Sequence, residues 1–371
     1  MKPENILPEN IQSLQPYEAG KTIAEVQREY HPKRISKLAS NENRLGCSKQ
    51  VPRAVNQAMN VIQDYPNPIA TDLRKKIANL HHVSESEVLL AAGSESIIAI
   101  LCRTFFKNDE NTVTAEATFV GFFVQAGIQG VELKKIPLNE NYKFDVEAIL
   151  DAVDKKTKMV YIANPNNPTG TYINKEEYKM LCSELPGDVL LIMDEAYHEY
   201  AGAAQDYPDS LLYRQQNVIT LRTFSKAYGL AGLRIGYAIA DDRLINEMMK
   251  TKLTFEPSAL AQAAAYAALD DQVFIEKSIQ TVNEGRQRLY DFFDEHRVNY
   301  IPSISNSVMM ILDDTAQAKS FTQSMLEQGV ILRRVHAFGL PNCIRITIGT
   351  DREMSHFEES YLNTVHASQP K

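Results

Sequence analysis

Three apolar runs in the middle of the chain each end in a polar cluster, and this pattern limits the fold more than any other feature. Met159–Ala163 leads into Asn164-Pro165-Asn166-Asn167-Pro168-Thr169-Gly170, Val189–Met193 into Asp194-Glu195-Ala196-Tyr197, and Val218–Thr223 into Ser225-Lys226. Similar runs lie at Val88–Ala92, Thr112–Ala115 and Ile235–Ala240, with helical patterns between them. This alternation predicts an α/β fold built on a mostly parallel sheet with crossover helices. Ligands of such sheets bind beyond the carboxyl ends of the strands, so the three clusters are expected to converge there. With 371 residues the chain is too long for one core, and two domains are expected. After about Thr254 the character changes to helices over Ala259–Leu269, Val273–His296, Ala316–Gln328 and Glu353–Val365, with strands near Val308–Leu312, Val330–Leu332 and Ile344–Ile348. The expected division is an arm or part of the small domain over 1–39, a large domain over 40–256 and a smaller α+β domain over 257–371.

Charge and cysteine usage narrow the partners. A net charge of −8 and a pI near 5.6 argue against nucleic acid or an anionic membrane and favour small molecules. Cys47, Cys102, Cys182 and Cys343 lack paired spacing, so reduced thiols are expected. Residues Met1 to Gly20 carry Glu4, Glu9, Glu18 and three prolines without an apolar run, so neither a leader nor a membrane span is expected, and the compartment is read as cytoplasmic. His31, His81, His82, His198 and His336 show no ligand spacing, so no metal is expected.

The chemistry is concentrated around Lys226. Thr223-Phe224-Ser225-Lys226 and Leu230-Ala231-Gly232-Leu233-Arg234 follow Asp194, with the lysine 32 positions after it, 226 minus 194. They suit a pyridoxal 5′-phosphate (PLP) cradle. A lysine can form a Schiff base with the cofactor aldehyde, hydroxyls and an arginine suit its phosphate, and a buried aspartate can keep the pyridine nitrogen protonated. Gly93-Ser94-Glu95 follows a strand and opens an apolar helix, a place where backbone N–H groups suit an anion. Read alone, Asp194 could cap a helix, Asn167 could belong to a turn, Tyr65 to a loop and Phe119 to the core.

Taken in order, Ala39-Ser40-Asn41-Glu42-Asn43, Asp64-Tyr65-Pro66, Ala92-Gly93-Ser94-Glu95, Asn164 to Thr171, Asp194 to Tyr200, Arg222 to Tyr237 and Arg345 to Gly349 resemble the histidinol-phosphate aminotransferases of PLP fold type I, nearly end to end. The resemblance implies a large domain with a mostly parallel seven-stranded sheet, a smaller α+β domain and PLP as cofactor. It further implies that Lys226 carries the Schiff base and moves the proton, that Asp194 partners the pyridinium, and that Tyr197 and Asn167 serve the cofactor's 3-oxygen. Phe119 would stack on the ring. Gly93, Ser94, Glu95, Thr223, Ser225 and Arg234 would hold the phosphate, with Tyr65 reaching across from a second subunit of a homodimer. On the substrate side it implies Asn43 in the segment that closes the site, Arg345 for a carboxylate and Arg333 for the phosphate of histidinol phosphate.

The departures from that family pattern fall on the substrate side: Arg44 after Asn43, Ser96 after Gly93-Ser94-Glu95, Phe255-Glu256-Pro257-Ser258, and Arg334. An amino donor and a 2-oxo acid are therefore expected as partners. The donor is histidinol phosphate or an aromatic amino acid such as phenylalanine or tyrosine, and the acceptor 2-oxoglutarate. A PLP-dependent decarboxylase or lyase on the same fold, and a non-catalytic PLP-fold regulator, are the other classes. The acidic arm before Leu38 lacks the length and charge for a regulator's DNA-binding module.

Overall fold

The computed structural model of the chain describes residues 6–15 and 20–368; part of the Met1–Gly20 stretch lies outside them. In chain order the strands are β1 (Ser36–Lys37), β2 (Val88–Ala91), β3 (Asn111–Ala115), β4 (Glu132–Ile136), β5 (Thr157–Ala163), β6 (Leu190–Asp194) and β7 (Val218–Thr223). They continue with β8 (Gly236–Ile239), β9 (Asn299–Ile301), β10 (Ser307–Ile311), β11 (Val330–Ile331), β12 (Arg333–Arg334) and β13 (Cys343–Thr347). A seven-stranded sheet has the order β2-β8-β7-β6-β5-β3-β4. Pairing is parallel throughout except at β8, which is antiparallel to both neighbours. Only a single 3-10 turn, Ala231–Leu233, separates β8 from β7, with no crossover α-helix to carry the chain back, so the strand runs antiparallel.

The apolar runs were legible because the central strands are buried on both faces: every residue of β2, β3, β6, β7 and β8 is buried. β4 went unread. Its sequence Glu-Leu-Lys-Lys-Ile is charged and partly exposed, as suits an edge strand that must not recruit another chain.

A four-stranded antiparallel sheet, β12-β13-β10-β9, forms the second layer. β1 pairs in parallel with β11, Ser36 opposite Val330, so the segment read as an arm is stitched to the C-terminal region. The long helix Gln272–Glu295 starts where the Asp271 side chain accepts from Phe274 N, and it buries Ile275, Val282, Leu289 and Phe293 on one face. Helix Ala259–Ala268 buries only alanines, namely Ala261, Ala264, Ala265 and Ala268, which lets it pack closely on helix Gln50–Ala58. One apolar cluster runs without a break from Val88 and Ile239 of the large sheet to Val308, Ile346 and Phe357 of the C-terminal region.

Register places the strand ends. Ala163 lies opposite Asp194, and Asp194 opposite Leu221, so β5, β6 and β7 release their polar clusters along one edge. Thr223 and Ala91 both face Gly236 from opposite sides, bringing the Gly93 loop beside Thr223. Thr118 Oγ1 donates to Asn166 Oδ1 at 2.8 Å and Asn166 Nδ2 to Ala117 O at 2.9 Å, clamping the loop after β3 to that after β5. Gly170 closes the second loop with φ +74, and a Cβ there would stand 2.0 Å from Ser303 Oγ. Gly170→Ala combines a left-handed φ with that overlap. It is expected to lose about 1–3 kcal/mol in urea denaturation; unchanged stability would show that this contact does not hold the loop.

Candidate active site

Alternation along a strand sends Asp194 and Glu195 to opposite faces of the sheet. Glu195 and its partner Arg222 lie below, both buried. Arg222 Nε and Nη2 donate to Glu195 Oε2 at 3.1 and 2.8 Å, Nη2 also to Asp209 Oδ1 at 2.7 Å, and Ser210 N donates to Glu195 Oε1 at 2.9 Å. Glu195, His198 and Asp209 bring ligand atoms within 4.8 Å of one another, a grouping not apparent from the histidine spacing. Arg222 already supplies that cluster's positive charge.

Above the sheet Asp194, 4% exposed, lines a cavity of about 350 Å³. Its Oδ2 accepts from Tyr161 Oη at 2.6 Å, while Oδ1 is buried with no hydrogen-bond partner. Burial pushes the carboxyl above its ordinary value, opposed by Tyr161, the Ala196 amide and Lys226. Tyr161 escaped the sequence reading because it sits inside the apolar run of β5. Its two roles, a ring stacked on Phe122 at 4.2 Å and a hydroxyl on Asp194, leave no periodic signal.

The other expected cofactor residues collect around the same cavity. Gly93, Thr223, Ser225 and Arg234 form one corner. Gly93 has φ +91 and lies so close to Arg234 that a Cβ would meet Nη2 at 2.9 Å. Thr223 Oγ1 donates to Ser225 Oγ at 3.0 Å and accepts from Ser225 N at 3.1 Å, and Arg234 Nη1 reaches Ser225 Oγ at 3.4 Å. Ser94 and Glu95 open helix Ser94–Phe105 at that corner. Lys226 Nζ stands 5.4 Å from the centre of the Tyr197 ring. Phe119 forms another wall, folded over Gly121, where a Cβ would stand 2.5 Å from its Cε1.

Two residues expected on the substrate side hydrogen-bond to residues expected on the cofactor side. Asn41 Nδ2 donates to Tyr197 Oη at 2.9 Å, which leaves the phenol proton available to donate. Arg345 Nη1 donates to Asn167 Oδ1, and Nη2 to Ala39 O at 2.7 Å, so the Asn167 side-chain NH₂ remains a donor.

Asn43, Arg333 and Tyr65, like Gly93 and Arg345, are not among the residues that line the cavity. Asn43 gives its amide to Ala227 O at 2.7 Å and Ser278 Oγ at 2.9 Å, tying the closing segment to helix Gln272–Glu295; Ser40 and Glu42 line the cavity instead. Arg333 sits on β12 directly opposite Arg345. Tyr65 is 79% exposed and stacks on Phe255 at 4.2 Å.

The residues fit PLP on the evidence of Asp194 itself. A buried carboxylate with one oxygen unbonded in a cavity suits a protonated ring nitrogen, and the Gly93–Arg234 corner suits a dianion. Uncompensated, that carboxylate destabilises the cofactor-free protein. Asp194→Asn is therefore expected to leave the thermal midpoint of the cofactor-free protein unchanged or higher, while turnover falls by about two decades or more. A markedly lower midpoint without cofactor would refute this account of the carboxylate.

Comparison with known proteins agrees with this geometry. The profile of the aminotransferase class I and II family matches residues 33–360. The chain is 43% identical over 345 residues to the histidinol-phosphate aminotransferase of Geobacillus sp. (strain WCH70), covering 92% of this chain and 93% of that protein. It is 42% identical over 347 residues to that of Bacillus subtilis (strain 168), covering 93% and 96%. The crystal structure of histidinol-phosphate aminotransferase from Sinorhizobium meliloti in complex with pyridoxal-5′-phosphate superposes with a TM-score of 0.90 at 27% identity, covering 98% of both chains. PLP is the cofactor of this family, and the seven-stranded sheet is that of its fold. The chain belongs to the class I and II aminotransferases.

Proposed function

We propose that the chain is a histidinol-phosphate aminotransferase, moving an amino group between histidinol phosphate and 2-oxoglutarate. The observation that carries the substrate reading is the pairing of Arg333 with Arg345 across β12 and β13. Directly opposed residues of an antiparallel pair share one face. Two guanidinium groups placed there offer fixed donors to anionic groups, and both substrates are anions. Arg345 reaches the cavity through Asn167 and suits a carboxylate bidentately; Arg333 suits the phosphate.

When bound, PLP supplies an aldehyde that captures amines and a ring that accepts electrons. In this reading Lys226 would hold the cofactor through its amine and, when that amine is free, would serve as the general base and acid that moves the substrate proton. Asp194 holds the proton on the ring nitrogen. Tyr197 and Asn167 donate to the 3-oxygen, oriented by Asn41 and Arg345. The corner of Gly93, Ser94, Glu95, Thr223, Ser225 and Arg234 binds the phosphate, with Phe119 against the ring.

Residues 40–256 form the cofactor domain in this reading, and 257–371 with the pairing segment of 1–39 form the smaller one. The reading includes a homodimer acting in the cytoplasm. Tyr65 and Phe255, with Val61, Ile62 and Leu253, leave apolar side chains on the surface, an arrangement that suits a second copy. Among the described residues no helix is long and apolar enough to cross a membrane.

Half-reaction kinetics test the substrate. Arg333→Ala is expected to raise KM for histidinol phosphate by about 10- to 100-fold, with a much smaller effect on 2-oxoglutarate. Equal losses for phosphorylated and unphosphorylated donors would remove Arg333 as the phosphate anchor. Lys226→Ala should show no borohydride-fixed link to PLP, and retention of one would reject the lysine.

The dimer is tested by mixing inactive Lys226→Ala with inactive Tyr65→Ala. Random exchange of subunits gives one complete site in each hybrid, and about a quarter of the wild-type activity should return. No recovery, with hybrids verified, would place Tyr65 outside the partner's site.

A further inference from the structure

A second cavity, of about 520 Å³, opens away from the cofactor corner, where the stretch after β5 meets helix Gln272–Glu295 and residues 302–304. Its wall carries the cations Lys143 and Arg286, with Thr171, Tyr172, Tyr290 and Ser303, and includes no carboxylate. Among the described residues neither cation forms an ion pair. Arg286 Nη1 donates to Ser305 O at 2.9 Å and Nη2 to Asn283 Oδ1 at 2.7 Å; these bonds fix the guanidinium without neutralising it. Burial lowers its pKa from the ordinary arginine value. Asp206 is engaged by the Tyr172 hydroxyl at 2.7 Å, while Lys143 Nζ stands 5.4 Å from the centre of that ring. In a chain of net charge −8, two cations on one concave wall without a counter-charge call for an anion from outside.

The cavity is also wired to the active site. Ser303 Oγ lies 3.0 Å from Ser305 Oγ, and that hydroxyl 3.3 Å from Ser307 Oγ. Asn41 Nδ2 donates to Ser307 Oγ at 3.1 Å and to Tyr197 Oη at 2.9 Å. All five side chains are buried. From the opposite wall, Thr171 Oγ1 lies 2.7 Å from Thr169 Oγ1, in the loop that carries Asn167.

We propose that this cleft is a second binding site, taking a small organic anion with a phosphate monoester or paired carboxylates, and that its occupancy is transmitted to Tyr197 through the buried hydroxyl chain. The anion bridges Lys143 and Arg286 and thereby draws the connection after β4 toward the long helix, and with it Thr171, whose hydroxyl donates to Tyr142 O at 2.8 Å. A shift of Ser303 changes what Ser307 and Asn41 can accept and donate. The Tyr197 hydroxyl then meets a different partner geometry.

The test titrates the holoenzyme with inorganic phosphate and, separately, with malonate, locating each by hydrogen exchange and following the visible absorption of the cofactor. Expected is protection over residues 142–172 and 283–304, with binding there weakened about tenfold or more by Lys143→Glu and by Arg286→Gln and unaffected by Arg345→Ala. Which of the two probes binds more tightly identifies the anion class. Protection confined to the Arg345 face, or equal affinity in both cleft variants, would overturn the site.

The coupling has its own readout and rests on the assignment of Tyr197 to the cofactor. Cleft binding should shift the cofactor band in the parent enzyme but not in Ser305→Ala, which should still bind the anion. Binding without any spectral change in the parent would overturn the coupling and leave the site standing.

Discussion

The ends of β6 and β7 are held together by the buried pairing of Glu195 with Arg222. Both Glu195 oxygens are hydrogen-bonded, and the same guanidinium also grips Asp209. A buried ion pair adds little net stability, because desolvation of both charges offsets their attraction. Its consequence here is positional. Any slip of β6 against β7 would strand a charge in the interior, so the register that sets Asp194 opposite Leu221 is strongly specified. The same register leaves Asp194 and Thr223, the neighbours of this pair in sequence, on the cavity side.

That arrangement explains how one strand end can support two incompatible environments. Glu195 is compensated and inert, while Asp194 has one oxygen satisfied by Tyr161 and the other left without a partner. The unsatisfied oxygen is a cost to the protein as it stands, one that the protonated ring proposed to bind there would relieve. The four-stranded sheet completes the site from the other side. Arg345 reaches from β13 to Asn167, and Asn41, just beyond the β1 segment, reaches Tyr197, so the groups proposed to face cofactor and substrate share hydrogen bonds.

The central strands, the long C-terminal helices and the clusters around Asn167, Asp194 and Lys226 were legible because each carries a local signal. Runs buried on both faces have no polar interruption, and Gly93 and Gly170 mark backbone that must take positive φ. β4 was not legible, since an edge strand carries charge where a central strand cannot. Neither was Tyr161, whose hydroxyl finds Asp194 only after β5 and β6 pair.

The sequence by itself determined the fold class, the cofactor and most of the residues that gather around the cavity, because those depend on side-chain type and on spacing along single strands. Only the tertiary structure decided that Asn43 turns to Ala227 and Ser278, that Arg333 stands opposite Arg345, and that Lys143 and Arg286 share a wall. These are contacts between segments 12 to 235 positions apart in the sense of loops closed by the core. They follow from how one continuous apolar cluster packs the second sheet and its helices against the first, and no local pattern records that packing.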